Sequence, residues 1–371
     1  MAVTTKYIYV DPDASGSANG TSWTDAYTSL ATAVQTEATD ITSTGTDERH
    51  VYYCRSSAGS ADTAAVALND LASSTWTYTT DATNYVVISG TDQHNGVWDT
   101  SMYRLSVNGG SSLVLNDNYA YVYNLQIEQT STGGFTYAVG RSNDVLTNIL
   151  WFFNGCIFKA RTSSIGYGQA AFTVSPSASS AAGSIDIHNC VFIGGYRTLY
   201  VGDTDAASII IRIFNCTLYG GSSDTIYSNT SLGSNILCIN TLAWGITDAL
   251  QSVRWGTGGS TTNLRYHANN NLDADDIGGT GLLAYSAYPY YDLSSYSLTD
   301  VFTDPSNFDF SLVSSSPVVD VGTDLSSSGI TTDITGAIRT GTWDIGAFEY
   351  GSGTPEPSTK YNERNRTINI T

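Results

Sequence analysis

Ile187-His188-Asn189-Cys190-Val191-Phe192 alternates, breaks once, and alternates again. Ile187 points to one side and His188 to the other, then Cys190 and Phe192 return to the side of Ile187. That is strand periodicity interrupted at the asparagine. Asparagine tolerates the left-handed backbone that a tight corner demands, and its amide can bond the same amide one layer away. The unit recurs as Tyr-Val-Tyr-Asn124-Leu-Gln-Ile, Phe-Phe-Asn154-Gly-Cys-Ile-Phe, Ile-Phe-Asn215-Cys-Thr-Leu and Cys-Ile-Asn240-Thr-Leu-Ala, with a weaker copy ending in Asn271. Successive asparagines are 30, 35, 26, 25 and 31 residues apart. Gly194-Gly195 and Gly220-Gly221 both fall five and six residues past their asparagine.

A unit of this length that turns on asparagine and stacks on its neighbours is one coil of a parallel β-solenoid, with coils about 4.8 Å apart. The expected fold is all-β, a right-handed parallel β-helix with an N-terminal capping helix and a C-terminal extension. Asn124, Asn154, Asn189, Asn215 and Asn240 are expected at its corners, and Cys190 and Cys216 in inward ladders. The boundaries read as 1–45 for an N-terminal strand and capping helix, 46–300 for the coils, 301–350 for a C-terminal cap and 351–371 for a linker and docking or strand-swap tail. The capping helix is expected around Thr24–Val34, with Ala26, Leu30, Ala33 and Val34 on one face and Thr24 or Ser22 as N-cap.

Composition agrees with flat sheets of short polar side chains. Charged residues are only 13% of 371, about half the usual share. Fifteen Lys+Arg against thirty-four Asp+Glu leave a net charge of −19. A chain with no basic face argues against nucleic acid and against an anionic membrane as partners. Aromatics at 12%, including 25 tyrosines, argue against disorder. The five cysteines (54, 156, 190, 216, 238) form no CxxC pair and read as small buried hydrophobes. The opening ten residues carry no apolar run of signal-peptide length, so the expectation is a protein made in a cytoplasm and not exported.

The tail differs from the rest. Gly351-Ser-Gly-Thr-Pro-Glu-Pro-Ser-Thr359 has linker composition, and Lys360-Tyr-Asn-Glu-Arg-Asn-Arg-Thr-Ile-Asn-Ile-Thr371 ends in strand-like alternation. Three basic and two acidic residues make 351–371 +1, which leaves −20 for the remainder. Lys360, Tyr361, Arg364, Arg366, Ile368 and Ile370 are the candidate docking residues.

Two stretches resemble a known group. Tyr7-Ile-Tyr-Val-Asp-Pro-Asp-Ala-Ser-Gly-Ser-Ala-Asn-Gly-Thr-Ser-Trp-Thr-Asp-Ala-Tyr27 is similar to the opening of right-handed parallel β-helix proteins of the pectate-lyase-like superfamily. Phe302-Thr-Asp-Pro, Phe308-Asp-Phe-Ser-Leu312, Ser316-Pro-Val-Val-Asp-Val-Gly322, Arg339 and Asp344-Ile-Gly-Ala-Phe-Glu349 resemble its C-terminal signature. The resemblance spans about 7–350 and implies the fold. It leaves function open among polysaccharide lyases, glycoside hydrolases, surface adhesins and phage tailspike or fibre proteins.

A lyase of that group implies a Lys or Arg base and a cation for the uronate carboxylate. Lys159, Arg161 and Arg197 follow successive corners and are candidates for one basic face; they read equally as scattered surface charges. A hydrolase needs two carboxyls, for which Asp203 and Asp205 (with Asp186 one coil earlier) are candidates, although Gly202-Asp-Thr-Asp also reads as a turn. Asp11 and Asp13 imitate half a calcium loop, with Ser22 in place of the closing Glu, and Asp273 and Asp275 form a second acidic run. No cofactor is expected, and calcium is the one ion left open. His50, His94, His188 and His267 show no ligand spacing. Tyr123, Phe153, His188, Phe214 and Ile239 are expected to share an outward stripe that stacks sugars or packs on a subunit.

The expectation is therefore a structural virion protein, a decoration, head-fibre or tailspike-like β-helix. It would bind surface glycans and dock through its tail to capsid or tail proteins, or to itself as a trimer or other homo-oligomer. The alternatives are a polysaccharide lyase or glycoside hydrolase acting on an acidic polysaccharide, and an extracellular adhesin.

Overall fold

Alternation on both sides of each corner buries one face of every strand, and successive strands stack parallel and in register. A computed structural model describes residues 3–69, 76–92, 94–132, 136–140, 148–161, 169–174, 182–201, 209–222, 224–228, 235–245, 253–255, 262–270 and 289–352. It is a right-handed parallel β-helix with three faces. The first face stacks Thr4–Val10, Glu48–Cys54, Val86–Gly90, Tyr119–Tyr123, Asn148–Asn154, Ala182–His188, Ile209–Phe214 and the leading halves of Asn235–Trp244 and Thr262–Asn269. The second runs from Arg104–Val107 through Gln126–Gln129, Ile157–Ala160, Val191–Ile193 and Thr217–Tyr219 to Tyr290–Asp292. The third runs from Val66–Ala67 to Val253–Trp255.

Inward residues stack rung on rung. Phe153, Ile187, Ile213 and Cys238 form one ladder, and Trp151 is set against Ala120 on one side and Ile185 on the other, large against small. Phe153, Phe158, Phe172 and Phe192 meet across the interior from all three faces with centroids 5.0 to 6.0 Å apart. Each buried ring stabilises the fold by roughly 1.5–3 kcal/mol. Cys156, Cys190 and Cys216 follow their corners directly, stack inward as free thiols, and are fully buried.

The corners hold, with two corrections. Asn124, Asn189, Asn215 and Asn240 have φ of 51°, 49°, 50° and 51°. Asn154, however, pairs with Tyr123 and His188 inside the ladder, and the corner is Gly155 at φ 67°. Glycine takes this conformation without the Cβ penalty that asparagine tolerates. Space decides too, because a Cβ on Gly155 would lie 2.4 Å from Asn124 Oδ1. The displaced Asn154 still accepts from Asn189 Nδ2 at 2.9 Å, and Asn240 Nδ2 donates to Asn215 Oδ1 at 2.9 Å. In the coil expected to turn near Asn271 the left-handed residue is Tyr266, φ 50°, and Asn271 lies outside the described residues.

The helix is Leu30–Glu37, later than expected. Asp25 is engaged by Ser17 and Ser22 in a turn, and Tyr27 bonds to Tyr9 in an isolated bridge, which keeps 24–28 out of the helix; Ser29 then caps the helix by accepting from Ala31 N. Leu30, Ala33 and Val34 are fully buried over the end of the solenoid.

The C-terminal cap is expected at residues 301–350. They lie along the flank, over the outward sides of the first and second faces. Phe302 packs on Trp244 and on Phe310, and Phe310 packs on Tyr219. Leu325, Ile330 and Trp343 pack on Phe214 and Ile239. Thr323 N donates to Asn240 Oδ1, Asn240 Nδ2 donates to Thr323 O, and Ala347 N donates to Thr217 Oγ1. A Cβ on Gly96, in an early coil, would strike Phe348. The segment therefore runs back along the rod, drawn there by apolar residues the second face turns outward: Ile157, Val191, Ile193, Leu242 and Ala268.

Candidate functional site

The in-register stacking sorts the outward residues of the first face into columns. One column runs Tyr7, Val51, Val87, Tyr121, Phe152, Asp186, Arg212, Leu237. The next runs Tyr53, Ser89, Tyr123, Asn154, His188, Phe214, Ile239. Aromatic rings fill the early coils, and Tyr121, Tyr123 and Phe152 pack into one cluster with Tyr85. Where the rings stop, Asp186 and Arg212 stack on adjacent rungs, with Arg212 Nη1 2.8 Å from Asp186 Oδ1. Ser184 Oγ donates to the other carboxylate oxygen at 3.1 Å. Burial pushes the Asp186 carboxyl up, and Arg212 opposes that shift.

His188 stands beside this pair. Its ring lies parallel to Phe214 (5.3 Å, 12°) and edge-on to Phe152 (5.0 Å). Burial first, and Arg212 second, push its pKa down to about 3, so it is neutral at ordinary pH. His188 Nε2 and Asn189 Oδ1 are buried and have no hydrogen-bond partner. Both residues line a cavity of about 10 Å³ under 328–332, the size of a single water.

The expected outward stripe is thus corrected in two ways. Phe153 faces the core, because the shifted corner puts Asn154, not Phe153, opposite His188. Tyr123, His188 and Phe214 do face outward but are 8%, 2% and 1% exposed, and 325–343 covers Phe214 and Ile239. The pattern marked a buried seam between the rod and its own C-terminal segment.

The expected basic face does not form. Lys159 sits on the second face in register with Glu128 and Ile193, whereas Arg197 sits on the third, in register with Ala170 and Asp224. Lys159 Nζ is 2.9 Å from Glu128 Oε1 and lies over the rings of Trp98 (4.6 Å) and Phe308 (4.9 Å), a clasp between rod and flank segment. Arg197 lies over the rings of Tyr196 and Tyr200. Arg161 is exposed just past the strand that carries Lys159. Lys159 lies five residues past Asn154 and Arg197 eight past Asn189, and because the second-face strands are only three or four residues long that difference carries Arg197 past the next turn.

Asp11 and Asp13 are consumed by the protein. Asp11 is fully buried, 2.9 Å from Arg55 Nε, and accepts from Asp13 N, Ser57 N and Ser57 Oγ. Asp13 accepts from Ser56 Oγ and Ala58 N, and bonds from Ser60 above all hold its pKa down at about 2. These carboxylates knit the first coil to the second. No group of three His, Cys, Asp or Glu placed to hold a metal occurs among the described residues. Asp203, Asp205, Asp273, Asp275, Lys360, Tyr361, Arg364, Arg366, Ile368 and Ile370 lie outside the described residues.

The charge cluster that sequence reasoning missed is in the flank segment. Arg339 Nη1 is 2.9 Å from Glu349 Oε2, and its Nη2 donates to Gly346 O at 2.9 Å. Asp344 accepts from Asp320 N, and Asp333 accepts from Glu349 N and Thr335 N. All four charged residues are buried. Arg339, Asp344 and Glu349 stood in the C-terminal signature and Asp333 did not, and nothing local told that 339 and 349 meet.

No family model matches this chain, and no curated protein does. Among solved structures it is similar to the crystal structure of pectate lyase Pel9A, with a TM-score of 0.46 and 13% identity, covering 94% of this chain and 97% of that chain. Likeness at this level assigns no residue a role here.

Proposed function

We propose that the protein is a structural module, a rigid β-helix rod that is attached through residues 351–371 in the manner of a virion decoration, fibre or tailspike component. The observation that carries this reading is the clasp on Lys159. Polyuronate elimination needs a base free to take a proton, and the lysine best placed for that work is paired with Glu128 and enclosed by Trp98 and Phe308. Arg212 is likewise paired with Asp186. A glycan contact falls to Tyr7, which is 51% exposed and stacked on Tyr53 (5.5 Å, 8°), because the stripe through His188 is covered. Incubation with polyuronates and neutral glycans, followed by the unsaturated-uronate absorbance and by reducing ends, should give no turnover, and Lys159→Ala should leave that result unchanged. Turnover that disappears in Lys159→Ala or Asp186→Asn overturns the structural reading.

A further inference from the structure

Ser352 leaves the flank segment inside a groove of about 310 Å³. It is lined by Asn95 and Val97, by the strand Asp309–Leu312 and by 348–350. Among the described residues this strand pairs with Phe302–Asp304 alone, and on it Asp309 Oδ1 accepts from Ser311 N at 3.0 Å, so its other edge has no strand partner among them. Val97, Leu312 and Phe348 make the groove apolar. Asp309, Asp333 and Glu349 also line it, and behind its wall the one Arg339 charge acts with three carboxylates, Glu349, Asp333 and Asp344. The groove is apolar with surplus negative charge.

The nineteen residues beyond Ser352 have the complementary chemistry. Lys360, Arg364 and Arg366 outnumber Glu363, and Ile368 and Ile370 follow. In an extended backbone Arg364, Arg366, Ile368 and Ile370 share one side. Pro355 and Pro357 stand between Ser352 and Lys360, and a spacer with prolines favours an extended backbone of roughly 3.1 Å per residue. A spacer of that composition would carry its far end away from the groove in which it starts.

We propose that the groove receives residues 360–371 of a second copy of this chain, added as a strand to the open edge of Asp309–Leu312. Ile368 and Ile370 enter against Val97, Leu312 and Phe348, and the arginines face Asp309 and Glu349. The inference rests on the reading that 351–371 attach the molecule, and it names the partner and the acceptor. Each copy gives one tail and offers one groove, so the contact joins copies into a closed ring or a two-fold exchange.

The test is light scattering behind size exclusion on the full chain, on Asp309→Lys, on Arg364→Glu/Arg366→Glu, and on an equal mixture of the two variants. The full chain should associate, and each variant alone should need at least about tenfold more protein to do so. The mixture should recover association, because one variant keeps its tail and the other its groove. A full chain that stays monomeric at every concentration overturns the proposal. An oligomer that survives Asp309→Lys but not the tail variant overturns the groove and leaves tail-borne attachment standing. An oligomer indifferent to both removes the tail from self-assembly as well. Unchanged melting temperatures of the variants show that folding is not what was lost.

Discussion

From Thr4 to Asp292 the chain is held by repetition, whereas from 313 to 350 it is held by particulars. A rung meets two neighbours through like residues in register, and its interior is almost wholly apolar. The flank segment has no repeat, is nearly without regular strands beyond residue 312, and is organised around one buried arginine facing three carboxylates. Apolar ladders spread a loss over neighbouring rungs. A single buried cation has no substitute, and its removal strands the charges it balanced. The same segment covers the outward residues of the rod, so the particular part protects the repetitive one.

Arg339→Met should break this contrast most sharply. Uncompensated Glu349 and Asp344 should cost about 4 kcal/mol, read by hydrogen exchange as lost protection over 318–349 while 185–193 stays protected. Burial already holds both carboxyls up. Without the cation they take up protons before the unfolded chain does, so the defect should shrink as pH is lowered. Phe172→Ala removes the ring that meets Phe153, Phe158 and Phe192, and should cost about 3 kcal/mol in chemical denaturation, with loss confined to the rungs. Equal loss of protection over 318–349 would show that the two regions unfold as one.

Asn240→Ala tests the join. It removes both bonds to Thr323 and places alanine at φ 51°, for about 2 kcal/mol, of which Asn240→Gly should recover the backbone share. At pH 7 His188→Phe is the smallest effect, and it is of opposite sign. His188 has a folded pKa depressed to about 3, so the stability its neutral ring supplies is complete above the unfolded value of about 6.5 and is lost as pH falls below it. Phenylalanine carries no such loss and leaves no unpaired Nε2. The variant should gain about 1 kcal/mol at pH 7 and about 2 kcal/mol more at pH 5, measured by thermal melts at both values.

Much of the rod was legible from residues alone. Period-two alternation and asparagines in the left-handed region are local consequences of sterics, so Asn124, Asn189, Asn215 and Asn240 could be placed without knowing their neighbours. Gly194-Gly195 and Gly220-Gly221 likewise mark real turns, with φ between 75° and 106°. The Asn154-Gly155 step misled because either residue can turn the corner, and only the fit against Asn124 chose glycine. The candidate site was less legible. His188 was read correctly as outward and wrongly as open, since what covers it arrives from 328–332.

The sequence by itself determined the coil, its corners and its inward ladders, because these rest on interactions within a few residues or between like positions of a repeat. Only the tertiary structure decided which outward residues stay exposed, that Lys159 is clasped, and that Arg339 meets Glu349. Those outcomes depend on contacts such as Asn240 with Thr323 and Thr217 with Ala347, which lie 83 and 130 residues apart. Contacts so distant carry no period and no local preference; they are settled by which apolar surfaces remain uncovered once the rod has formed.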